Sequence, residues 1–176
     1  MTKRNVTVKI ETKRSELVSS LFENADLELP EEAGFAHDED EAEFCTEGRL
    51  ITNANEVRLL YEESELSGME NSIACLSFLR ESPGILTMTR SGEVNTALVF
   101  EEGRRHICVY HTPFMDFEVC IKSFLVKNAL LETGRIDLDY IVEIHGAKAE
   151  RCRMTITVEP RKELFEESLR FHSFKG

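Results

Sequence analysis

Apolar and polar residues begin to alternate close to the start of the chain. Val6, Val8 and Ile10 interleave with Thr7, Lys9 and Glu11, the period of two expected of a strand with one buried face, and predict a first strand over residues 5–13. The pattern then breaks. Residues 15–21 suit a short helical turn, while Pro30, Gly34 and the run Asp38-Glu39-Asp40-Glu41 predict a solvated, flexible acidic insertion over residues 14–41. From residue 43 the alternation returns. Strands are predicted at 43–52, 57–63, 73–79, 85–90, 94–100, 104–111, 117–126, 136–144 and 152–158. They are punctuated by Asn53-Ala54-Asn55, Ser82-Pro83-Gly84, Ser91-Gly92, Thr112-Pro113, Gly134 and Gly146, all turn chemistry.

Short strands with regular turn signals and no intervening helices predict an all-β fold. Meander connectivity favours an antiparallel up-and-down barrel of about eight to ten strands, because closure removes the exposed edges of a long meander. After Pro160 the character changes. Residues 163–171, with Leu164, Phe165, Leu169 and Phe171 on one side, predict a short helix. The expected organisation is one barrel domain over residues 1–160 and a helical tail over 161–176.

The length of 176 residues suits a single core of this kind. No apolar run approaches the length of a membrane span, and the start lacks the apolar centre of a signal peptide, so a cytoplasmic protein is expected. The net charge of −12 is unevenly held: residues 15–48 carry twelve Asp or Glu and no Lys or Arg. The remainder is balanced. Without clustered cations, nucleic acid is not an expected partner. The five cysteines, at 45, 75, 108, 120 and 152, form no C-x-x-C pair, and the histidines lack metal-ligand spacing. Reduced cysteines and no metal or cofactor are the expectation.

Candidate chemistry centres on residues 61–70, Tyr-Glu-Glu-Ser-Glu-Leu-Ser-Gly-Met-Glu. Taken alone, four glutamates in ten residues invite a catalytic or metal loop. Strand alternation changes that reading, because Glu63 shares its face with Val57, Leu59 and Tyr61, and Arg90 shares its face with Leu86 and Met88. Buried charges need partners, so Glu63 or Glu65 is expected to pair with Arg90 at one rim of the barrel. In the strand at 104–111, Arg104, His106, Cys108 and Tyr110 fall on one face and Arg105, Ile107, Val109 and His111 on the other. Periodicity does not choose which set faces inward.

The stretch at 61–70, followed by Arg90-Ser91-Gly92-Glu93-Val94-Asn95, Phe100-Glu101-Glu102-Gly103-Arg104-Arg105-His106 and Tyr110-His111-Thr112-Pro113-Phe114, resembles the YwiB family of small bacterial proteins. The resemblance covers about residues 42–159. It implies a calycin-like barrel, related in architecture to lipocalins, and no assigned catalytic residues. Two departures stand out: the segment at 14–41 looks longer than usual, and Met115 stands where a glycine commonly follows the Thr-Pro-aromatic.

Three functions compete. The leading one is a non-catalytic binder of a small amphipathic or anionic molecule, held at a mouth formed by Glu63, Glu65, Arg90, Arg104, His106 and Tyr110. A structural or protein-interaction module with a filled barrel is the alternative, as monomer or homodimer, acting through the acidic segment and the tail. An enzyme pairing Glu63 or Glu65 with His106 as acid and base comes third.

Overall fold

The computed structural model describes residues 1–17, 35–63, 72–92, 95–144 and 149–161. Ten antiparallel strands form one sheet: β1 (Thr2–Leu17), β2 (Phe35–Thr52), β3 (Glu56–Glu62), β4 (Ile73–Leu79), β5 (Ile85–Ser91), β6 (Thr96–Glu101), β7 (Arg105–His111), β8 (Asp116–Ala129), β9 (Arg135–Ile144) and β10 (Ala149–Pro160). A four-residue helix, α1 (Leu130–Thr133), joins β8 to β9. The sheet order is β6-β5-β4-β3-β2-β1-β10-β9-β8-β7. It rolls into a nearly closed, calycin-like barrel.

Alternation places the core. On β4, Ala74, Leu76 and Phe78 are buried, while Ile73 and Leu79 face solvent. The same rule sends Val6, Val8 and Ile10 of β1, Leu86 and Met88 of β5, and Leu98 and Phe100 of β6 inward. Phe100 meets Tyr140 of β9 edge to face, with ring centroids 4.8 Å apart.

The acidic segment departs from expectation among its described residues. β1 continues to Leu17, and β2 begins at Phe35 rather than at residue 43. Arg14 faces Asp40, and Lys13 faces Glu41, across the β1–β2 ladder. The carboxylates that suggest a solvated loop are cross-strand partners instead. Lys13 bonds Glu41, and Lys9 Nζ lies 3.1 Å from both Glu11 and Glu43, pairs that suit the outer face of a sheet. The predicted strand beginning at 94 starts at Thr96. The predicted tail helix lies outside the described residues.

One end of the barrel is plugged by α1, an element too short for a helical hydrophobic period to reveal. Asn128 Oδ1 accepts from the Leu130 amide, and Leu130 is buried. Gly134 ends the turn in the left-handed region at φ 73°. Its carbonyl accepts from the Val158 amide at 2.7 Å, and a Cβ there would sit 2.4 Å from the Val158 carbonyl oxygen. Only glycine fits.

The barrel closes unevenly. Strands β1 and β10 pair continuously from Val6↔Pro160 to Leu17↔Ala149. Strands β6 and β7, adjacent in sequence, share only the isolated bridge Asn95↔His111 among the described residues. Their connecting turn leans onto β8 instead. Gly103 N–H donates to the Ser123 carbonyl, the Ser123 amide donates to the Arg104 carbonyl, and the Glu102 carboxylate accepts from the Val126 amide. The register of β8 against β9 shifts between Ser123 and Leu125 at this point, so a bulge receives the turn.

Candidate functional site

The end of the barrel opposite α1 gathers an inward-facing polar cluster. Tyr61 on β3, Ala74 on β4, Arg90 on β5 and Thr96 on β6 lie in successive register. Ala74, the smallest of the four, leaves space between the tyrosine ring and the guanidinium. Arg90 Nε donates to Glu63 Oε1 at 3.0 Å, with the side chains only 10% and 3% exposed. The expected pairing of Glu63 with Arg90 is therefore present. Glu65 lies outside the described residues.

Tyr110 joins the cluster from β7, close enough to Arg90 for the guanidinium charge to act on its hydroxyl. The ambiguity of β7 resolves in favour of His106, Cys108 and Tyr110 pointing inward, since these are half-buried while Arg105, Ile107, Val109 and His111 are exposed. From β1 comes Arg14, which shares the inward face of Val6, Val8, Ile10 and Thr12 and lies opposite Cys152 of β10. Its guanidinium acts on the Cys152 thiol and on Tyr110. Tyr140 lies opposite Cys152 in the β9–β10 ladder, and the two side chains act on one another. Among the described residues this end carries two guanidiniums, the buried Glu63 carboxylate and three phenols on its inner face, with the exposed Asp40 opposite Arg14 at the rim.

Electrostatics fix the protonation of these groups. Burial works against the Arg90 charge, but Glu63 and the surrounding tyrosines outweigh it and hold the guanidinium above its usual range. Burial pushes the Tyr61, Tyr110 and Tyr140 hydroxyls up, and neighbouring Arg90 offsets only part of that. Cys152 is also raised by burial, with Tyr140 and Arg14 pulling against it, so it remains a thiol. The cluster offers donors and positive charge at neutral pH, rather than a thiolate nucleophile.

Arg104 and His106 do not belong to this cluster. Arg104 lies in the β6–β7 turn, largely exposed, with its Nε 3.8 Å from Glu101. His106 Nε2 is 3.2 Å from the other Glu101 oxygen. Arg90 faces Thr96, and Glu101 lies five residues further along β6, roughly 16 Å at the rise of an extended strand. The six-residue mouth therefore divides. Glu63, Arg90 and Tyr110 converge, whereas His106 and Arg104 bracket Glu101 across the open joint between β6 and β7. An acid–base pair of Glu63 with His106 is not formed, since each holds a different partner.

The sequence reading missed Arg14, Tyr140 and Cys152. Arg14 was legible in principle, because the alternation of Val6, Val8, Ile10 and Thr12 runs straight into it. No group of three His, Cys, Asp or Glu side chains placed to hold a metal occurs among the described residues, and no helix there is long and apolar enough to cross a membrane.

A nearly closed antiparallel barrel with a polar inner end defines the class of this protein. Residues 32–156 match the family described as a domain of unknown function, DUF1934, and the chain belongs to that family. The crystal structure of the ywiB protein from Bacillus subtilis is similar, with a TM-score of 0.66 at 21% identity over 90% of this chain and 93% of that one. At that identity the likeness speaks for the fold, and it agrees with the YwiB-like motifs. A search of curated proteins gave no match.

Proposed function

We propose that the barrel is a non-catalytic binding module whose polar end receives a small anionic or amphipathic molecule. One observation carries this: Arg14 and Arg90 both face inward, and the buried carboxylate beside them among the described residues, Glu63, is taken by Arg90, while Asp40, opposite Arg14 on β2, is exposed. A half-buried guanidinium is costly without a counter-charge. A carboxylate entering beside Arg14 would complete the arrangement and accept hydrogen bonds from Tyr110, whose hydroxyl stays protonated. Of the six candidate residues, Glu63, Arg90 and Tyr110 serve this role together, with Arg14 added.

Native mass spectrometry of freshly purified protein, followed by a thermal-shift screen of acyl and carboxylate metabolites, tests the proposal. A ligand-dependent rise in Tm that is lost in Arg14→Gln supports it. Bare mass and no shift from any compound would favour a second function, a filled barrel acting through its outer surface. The closed Glu63–Arg90 pair is the observation on that side, since such a pair also serves as a plug that specifies the fold.

A further inference from the structure

The α1 end of the barrel holds a cavity of about 490 Å³, within the range of roughly 300–1,000 Å³ typical of small-molecule sites. Its walls include Val6, Leu50, Leu130, Leu131 and Val158, and two arginines, Arg4 and Arg80, stand at it. No Asp or Glu lines it. In a chain of net charge −12, a cavity with two cations and no acid is a local reversal of sign. Glu132, on the same short helix, is not among the lining residues.

The two arginines are placed differently. Arg80 is fixed by the β2–β3 turn: its Nε donates to the Asn53 carbonyl at 2.8 Å and its amide to the Asn55 carbonyl at 2.8 Å. That turn is itself rigid, since Asn53 Oδ1 accepts from the amides of Asn55 and Glu56. The terminal nitrogens of Arg80 are thus held on a built support. Arg4 precedes Val6 on the inward row of β1, is exposed, and makes no ion pair among the described residues. Leu130, Leu131 and Val158 supply the apolar floor, where Gly134 lies close against the Val158 backbone.

We infer that this cavity is a second binding site, distinct from the polar end, for a carboxylate with a hydrocarbon body. The charged head lies between Arg80 and Arg4, where paired hydrogen bonds from guanidinium to carboxylate are available. The hydrocarbon lies against Leu130, Leu131, Leu50 and Val158, and its burial supplies the remaining affinity. Charge complementarity selects the anion, and the apolar floor selects its tail.

The test uses the full chain with decanoate as probe and decanol as its uncharged counterpart. Calorimetry measures affinity, and methyl NMR locates the ligand. Decanoate is expected to bind more tightly than decanol and to shift the Leu130 and Leu131 methyl signals. Arg4→Ala, at an exposed position that leaves the fold intact, is expected to weaken decanoate by about ten-fold, in line with a lost charge-assisted hydrogen bond. Arg4→Ala/Arg80→Ala weakens it further, while Tyr110→Phe leaves it unchanged. No binding, equal binding of decanol, or affinity untouched by Arg4→Ala would overturn the site. Loss of binding in Tyr110→Phe, with Arg4→Ala unaffected, would assign decanoate to the polar end and overturn this inference while supporting the other.

Discussion

The inward row of β1 begins and ends in arginine: Arg4, then Val6, Val8, Ile10 and Thr12, then Arg14. The two ends of the barrel treat these residues in opposite ways. At the polar end Arg14 is half-buried among Tyr110 and Cys152, next to the sealed Glu63–Arg90 pair. At the α1 end Arg4 is exposed at the edge of an apolar cavity. An arginine in water loses little by having no partner, whereas one withdrawn from water must be compensated. Unpaired charge is therefore expected to weigh more on stability at the polar end than at the α1 end.

The largest expected effect breaks this contrast at the polar end. Glu63→Ala leaves Arg90 buried without its carboxylate and is expected to cost about 3–5 kcal/mol in urea unfolding. Replacing both partners by apolar residues should recover most of that loss. At the other end Leu130→Ala removes the plug of the barrel and is expected to cost about 2–5 kcal/mol by the same measurement.

Alkaline pH sharpens the comparison next. Tyr61, Tyr110 and Tyr140 have hydroxyls raised by burial. In the unfolded chain they ionise near pH 10. A group raised on folding contributes stability fully below its unfolded value, and that contribution falls away as pH rises beyond it. Tm should therefore drop above about pH 10, and less steeply in Tyr140→Phe. The smallest effect is Arg4→Ala, within about 0.5 kcal/mol in unfolding. A large loss there would show that Arg4 supports the fold and would erase the difference between the ends.

Much of this architecture was legible in the sequence. Period-two alternation located ten strands because one face of each is apolar, and Glu63 and Arg90 announced their pairing by being charges on apolar faces. Three things were not legible. The extension of β1 and β2 was hidden by acidic residues, whose lysine partners lie on the neighbouring strand rather than nearby in sequence. The helix α1 spans four residues, fewer than a hydrophobic repeat needs. The separation of His106 from Arg90 depends on which ends of the strands meet, and β7 alternation carries no information about that. The cavity at Arg4 and Arg80 left no motif either, because its two cations arrive from β1 and from the turn after β4, far apart in the chain.

The incomplete joint between β6 and β7 bears on how the molecule is assembled. Cutting the circle there gives the order β7, β8, β9, β10, β1, β2, β3, β4, β5, β6, a plain meander whose natural ends would lie beside Gly103. Two half-sheets, β1 to β6 and β7 to β10, can each grow by short hairpins, but the ladder that unites them joins strands separated by more than a hundred residues. Closing so long a loop has a high entropic barrier and slows folding. A circular permutant opened at Gly103, with the old ends linked, should turn that last and slowest step into a local one and refold faster than the natural chain.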